Sequence, residues 1–406
     1  MTAYFLDWLS LLGRWLHLVA GIAWIGSSFY FIWLDDHLVA PADPALAKEG
    51  VAGELWAVHG GGFYHSQKYR VAPASLPASL HWFYWEAYTT FLSGLFLMGL
   101  IYYAQAELYL IDPAVAALSK PAAIAIGIAF LGGGWIVYDG LCRSPLGRSP
   151  RALAAVLAVL LSAAAWVLCH LFGGRGAYME FGAMLGTIMV ANVFFVIIPA
   201  QRALVRAKEL EGNREPDPTD AIAAKLRSTH NTYFTLPVLF VMISHHYPMT
   251  YGARQNWLVL IAICAAGVLL RVYFVARHKA RDRGGRTSPL PAALGVAALA
   301  AVALALLPPR SPQLAAAVMS SPGSFARIEA IIARRCASCH SLQPTQEGFT
   351  AAPNGVLLDT PERIVSRTQQ MREQLATRAM PVGNVTGITE EERAEMLAWI
   401  DRGAPH

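Results

Sequence analysis

The clearest chemistry in this sequence lies near its end. Cys336-Ala337-Ser338-Cys339-His340 is a C-x-x-C-H run, the attachment signal for a c-type heme. Its two thiols can form thioethers to the porphyrin vinyl groups, and the adjacent imidazole can take the iron. A zinc site would need two further ligands, which no nearby Cys/His pair supplies. A dithiol redox site has no need of the histidine. The sixth iron ligand should be a downstream Met or His, and a Met would raise the potential. Met371 falls in a helical stretch at 361–376 and Met396 in the last helix at 389–401, where core packing suits them. Met380 sits in the loop Ala379-Met380-Pro381, after His340 and before that final helix. We therefore expect one covalent heme c, attached at Cys336 and Cys339, with His340 and Met380 as metal ligands.

Other polar groups interrupt strongly apolar surroundings, where ionisable residues are costly and often functional. The segment 54–70 carries His59, Gly60-Gly61-Gly62, Tyr64, His65, Lys68 and Arg70. Triple glycine permits backbone shapes closed to other residues. A flat anionic substrate would want an aromatic face, a cation and a proton-transfer group. His59, His65, Glu86 and His230 are the candidate catalytic groups; Lys68, Arg70, Asn231 and Thr232 are the candidate substrate binders. The plainer reading is a structured loop at headgroup level, its aromatic and basic residues acting as anchors. A further layer holds Arg14, His17, His170, Glu180, His245 and His246. A heme b ligated by His17 would suit it, with His245, His246 or His170 as partner; Ala20 and Gly21, one turn on, would leave room for a macrocycle. The plainer reading is a histidine hydrogen-bonded between helices. His37, His278 and His406 read as solvated.

The elements that must position these groups are helices in a bilayer. The chain has 406 residues, of which 55% are apolar and 15% charged; a soluble protein carries about a quarter charged residues. The net charge of +5 comes from basic loops between apolar runs, which argues against nucleic-acid binding. A spanning helix needs about 20 mostly apolar residues. Eight such runs occur, at 8–34, 82–104, 121–141, 152–172, 179–200, 231–248, 256–276 and 289–309. Cys142, Cys169 and Cys264 lie in or beside them and read as small hydrophobes. Gly182 and Gly186 form a G-x-x-x-G spacing suited to close helix packing.

Lys and Arg concentrate in the segments after runs one, three, five and seven; the opposite loops hold only Lys120, Arg175 and Arg254. The positive-inside rule then puts both termini outside the cytoplasm. The start lacks a basic n-region and an A-x-A site, so it reads as a retained first helix. Pro308-Pro309-Arg310-Ser311-Pro312 cannot continue a helix. The expected organisation is all-α: an eight-helix transmembrane bundle over 1–309, a linker at 310–322, and a small soluble cytochrome c domain over 323–406. The charge rule and the heme motif agree independently, because c-type heme is attached outside the cytoplasm.

Taken together, Gly13-Arg14-Trp15-Leu16-His17 through Trp24-Ile25-Gly26-Ser27-Ser28-Phe29, Leu55 through Tyr64, His230-Asn231-Thr232-Tyr233-Phe234-Thr235-Leu236-Pro237-Val238 and the C-x-x-C-H run resemble the membrane-bound, cytochrome c-fused urate oxidases. The resemblance covers nearly the whole chain. It implies an oxidoreductase converting urate to 5-hydroxyisourate, with water as oxygen source and no hydrogen peroxide. Electrons would leave one at a time through the heme c to a soluble cytochrome c or a terminal oxidase. It also implies eight helices and an exported heme c domain, and we expect a multi-pass protein of a bacterial inner membrane with the cytochrome domain periplasmic. The competing expectations are a non-catalytic subunit relaying electrons from quinol or a partner dehydrogenase, and a heme or copper carrier with a redox-sensing tail.

Overall fold

The computed structural model describes residues 2–70, 72–209, 218–282, 285–307, 325–346, 349 and 351–405. Helices dominate it. The first part holds α1 (Thr2–His37), α2 (Trp85–Leu97), α3 (Lys120–Arg143), α4 (Pro150–Leu171), α5 (Gly174–Asn192), α6 (Pro218–Ser244), α7 (Asn256–Asp282) and α8 (Leu290–Ala305). π turns prolong α2 at Met98–Tyr103 and α5 at Val193–Ile197, and the latter runs on as Ile198–Glu209. Prolines in the first turn of α3, α4 and α8 cost no hydrogen bond there and preset the helical φ.

Five helical stretches are long and apolar enough to cross a membrane: Trp8–His37, Lys120–Arg143, Pro150–Leu171, Gly174–Glu209 and Asn256–His278. The other three expected runs also fall on helices. α2 is short before its π turn, α6 has a polar first half and Pro237 inside it, and α8 has 16 residues. α5 is apolar almost all round, so it takes the centre. Its Tyr178, Phe181, Met184, Leu185 and Ile188 are buried in a core shared with α3, α4, α6 and α7. Half of the expected glycine pair does packing work. A Cβ on Gly182 would collide with Val241 of α6, whereas nothing approaches Gly186.

The chain is not purely helical. Residues expected to form a loop make an antiparallel hairpin, β1 (Val51–His59) and β2 (Gly62–Tyr69). Gly60 and Gly61 lie at φ of 56° and 80°. A two-residue turn with both φ positive matches strand twist, and glycine reaches it without strain. Alternating Trp56, Val58 and Phe63, His65 then pair across the strands. Paired hydrogen bonds between Val39 and Glu54 fasten the hairpin to the end of α1.

The C-terminal part has its own core. Ile328, Ile331 and Ile332 of α9 (Phe325–Arg335) pack with Met371 and Leu375 of α11 (Thr368–Ala376) and with Met396 and Trp399 of α12 (Glu390–Asp401); the short α10 (Pro361–Ser366) adds Ile364. Trp399 is fully buried and donates its Nε1–H to Pro405 O. Arg335 grips Glu392 with two nitrogens, at 2.9 and 3.1 Å, while Glu392 completes a capping box with Thr389. The expected linker at 310–322 lies outside the described residues.

This unit sits on the end of the bundle away from the hairpin. Gly383 backs onto the chain just after α2. A Cβ there would lie 2.8 Å from Leu108 O and 3.1 Å from the carbonyls of Glu107 and Ile111. Gly252, between α6 and α7, backs onto Thr377 O.

Candidate functional site

The C-x-x-C-H run continues α9 as a tight turn. Cys336 N–H donates to Ile332 O, and the backbone N–H groups of Cys339 and His340 both donate to Cys336 O. Both thiols are free. Burial pushes the Cys336 thiol up to about 12 and raises Cys339 as well. His340 Nδ1–H donates to Val356 O at 3.0 Å, which fixes the tautomer and leaves Nε2 free to bind a metal. Met371 and Met396 are held in the core, whereas Met380 is only half-buried in its loop. Arg393 is 7% exposed and braces that loop, donating from Nη1 to Leu375 O and to Met380 O at 2.8 Å. Paired free thiols, an oriented imidazole and a braced loop methionine fit a covalent heme. Among the described residues no group of three or more His, Cys, Asp or Glu could cage a bare metal ion.

Inside the bundle, His230 and Asn231 enter a buried network joining α3, α5 and α6. Asn192 Nδ2–H donates to Asn231 Oδ1 at 2.9 Å and to Tyr138 Oη at 3.1 Å. Tyr138 Oη lies 2.8 Å from His230 Nδ1, and Asn231 Nδ2–H donates to Met189 O. Thr232 turns its hydroxyl back to Ser228 O on its own helix. One turn before, Arg227 is 3% exposed, pairs with Asp139 at 2.7 Å, and lies 5.0 Å from the centre of the Tyr138 ring.

A family model described as Urate oxidase N-terminal matches residues 3–306. The chain belongs to that family. No curated protein and no solved structure matches it. Membership in the urate oxidase N-terminal family ties the chain to urate metabolism, as an oxidoreductase-related protein. The matched residues stop before the C-terminal unit, so the C-x-x-C-H run lies outside them.

The remaining candidates in the family region are dispersed. His65 donates to Glu54 at 2.6 Å and stacks on Trp56, with ring centres 4.1 Å apart. Two hydrogen bonds, from Ala42 N–H first and from His65 second, hold the Glu54 carboxyl below the usual glutamate range. His59 stands exposed at the hairpin turn, Lys68 pairs with Asp35, and the backbone N–H of exposed Arg70 donates to Gly50 O. Glu86 lies in the first turn of α2. No hydrogen bond or ion pair among the described residues joins the hairpin histidines to His230 or Glu86.

At the opposite end, His17 Nδ1–H donates to Thr90 O at 2.9 Å and to Ser93 Oγ at 3.1 Å. Gly94 makes this possible, since a Cβ there would lie 3.0 Å from the imidazole. Thr90 of α2 also lies against Gly21, at 3.8 Å from where its Cβ would stand. His245 and His246 lie ring to ring at 3.8 Å, and His170 Nδ1–H donates to Trp166 O. No hydrogen bond or ring contact among the described residues joins His17 to these three.

Sequence reasoning missed Tyr138 and Asn192, which hold the network together. Asn192 had left a signal, an amide inside an apolar run. Glu180, by contrast, is legible in the sequence; it is fully buried, and its carboxyl and the Tyr103 hydroxyl both lie against Gly127 of α3.

Proposed function

We propose that the chain is a membrane-bound urate dehydrogenase whose C-terminal unit carries a covalent heme c. Urate monoanion and water would give 5-hydroxyisourate, one proton and two electrons, with a new C5–O bond made from water. Cys336 and Cys339 would attach the heme, and His340 and Met380 would ligate it. Bound there, it supplies a one-electron acceptor on the outer face, passing electrons to a soluble cytochrome c or a terminal oxidase.

The observation that carries this reading is the contact between the two parts. A unit with an oriented C-x-x-C-H imidazole is docked, backbone to backbone, on the region that matches the urate oxidase family. It sits at the end of the bundle whose loops are poor in Lys and Arg. That supports a bacterial inner membrane with both termini and the C-terminal unit periplasmic.

The test is anaerobic addition of urate to the purified holoprotein. The ferric spectrum should convert to the ferrous one, with two electrons per urate and no hydrogen peroxide when a cytochrome acceptor is supplied. A ferric spectrum that survives ample urate yet yields to a quinol would make the chain a relay subunit instead.

A further inference from the structure

Where the C-terminal unit meets the bundle, the two enclose a cavity of about 670 Å³. Small-molecule sites commonly measure about 300–1,000 Å³. The bundle wall includes Tyr109, His170, Arg175, Arg254, Asn256 and Trp257, and the facing wall includes residues 381–384, immediately after Met380. These residues come from helix ends and connections of the bundle and from the C-terminal loop, so the cavity exists only when the two parts are docked.

Its charge is unbalanced. Four arginines line it against two carboxylates, Asp112 and Glu390. Glu390 pairs with Arg378 at 2.7 Å and approaches Arg393 at 3.7 Å. Arg393 is further committed to the carbonyls of Leu375 and Met380. Arg175 and Arg254 have no carboxylate partner among the described residues. Arg175 is held in place by Tyr102 Oη at 3.3 Å and by the Tyr109 ring, 4.7 Å below its guanidinium. Arg254 is exposed. The Nδ1–H of His170 is engaged by Trp166 O, which leaves Nε2 as an acceptor.

We propose that this cavity is the urate site: a flat heterocyclic monoanion held by Arg175 and Arg254 against an aromatic wall, entering from the face that bears the C-terminal unit. The proposal rests on the reading of the chain as a urate oxidiser, and it places the substrate at the opposite end from the hairpin. There, His65 and Lys68 are already engaged by Glu54 and Asp35. A urate at the hairpin end would face a hydrocarbon core about 30 Å thick on the way to the heme. In the cavity it lies against the loop that carries Met380.

The experiment measures equilibrium dialysis of labelled urate with the full-length holoprotein, its heme held reduced by dithionite so that no turnover occurs. Arg254→Gln should weaken binding by about tenfold or more, the value of a charge-assisted hydrogen bond, with heme content and spectrum unchanged. Arg175→Lys should also weaken it, because an ammonium cannot reproduce the guanidinium fork. In sealed right-side-out vesicles, urate added outside should reduce the heme of oxidised protein without a lag.

Equal binding by wild type and Arg254→Gln would overturn the cavity as the site while leaving urate oxidation standing. The same holds if Lys68→Gln or Arg70→Gln is the variant that loses binding, or if only inverted vesicles respond. If urate neither binds the wild type nor reduces its heme in detergent, both readings fall.

Discussion

Removing the carboxylate of Asp139 should cost far more than its place near the end of a helix suggests. Arg227 is 3% exposed and its Nη2 lies 2.7 Å from Asp139 Oδ1, while Arg143, 66% exposed along its side chain, reaches the other oxygen at 2.6 Å. One carboxylate thus serves a buried and a solvated cation. Breaking a buried pair from one side leaves an uncompensated charge and costs about 3–5 kcal/mol. An exposed i,i+4 helix pair is worth about 0.3–0.5 kcal/mol. Asp139→Leu should therefore lower the apparent melting temperature of the detergent-solubilised protein by roughly 6–20 °C, at about 2–4 °C per kcal/mol. Arg143→Ala should move it by about 2 °C at most, on the same scale. The double variant Asp139→Leu/Arg227→Met should recover most of the loss, because the stranded charge is gone. Thermal scans by circular dichroism decide it. A double variant no more stable than Asp139→Leu would show that the pair contributes net attraction and would refute this account.

Three further outcomes follow from other parts of the structure. Gly182→Leu should destabilise by about 1–3 kcal/mol through overpacking against Val241, whereas Gly186→Ala, facing open space, should be neutral or gain up to about 1 kcal/mol of helix propensity; matching melting curves for the two would contradict the close approach. Glu54 has a folded-state pKa below its unfolded value, so its contribution to the hairpin is present above the ordinary glutamate range, near pH 4.3, and lost as pH falls through the lower folded value. Trp56 fluorescence should report that loss, and Glu54→Gln should abolish the titration; an unchanged acid transition in the variant would assign it elsewhere. Met380→Ala should lower the heme potential and admit exogenous ligands, while Met371→Ala and Met396→Ala should keep the ligand spectrum and lose about 2–5 kcal/mol of stability; a preserved spectrum in Met380→Ala would reassign the axial ligand.

The parts of the molecule legible in the sequence are those set by local pattern. Each of the eight apolar runs falls on a helix, because length and apolarity are carried by neighbouring residues. The last helix, expected at 389–401, is α12 (Glu390–Asp401). The hairpin was misread as a loop. Its Trp56-Ala57-Val58 alternation is only a few residues long, and the three glycines drew attention to ligand binding when two of them simply turn the chain. The clasp of Tyr138, Asn192, Asn231 and His230 was not legible as a set, since it joins three helices separated by tens of residues. The cavity was still less so. Arg175, Arg254 and Arg378 stand on unrelated segments, and nothing local distinguishes them from ordinary loop arginines.

The glycine at 383 has a consequence for how the tail behaves. Backbone pressed on backbone, with no side chain between, leaves no soft layer that could slide or reorient. A carrier seated this way does not search for its donor by swinging on a tether, so transfer within the chain should be insensitive to solvent viscosity. Only the later hand-off to a separate acceptor would then feel diffusion and ionic strength.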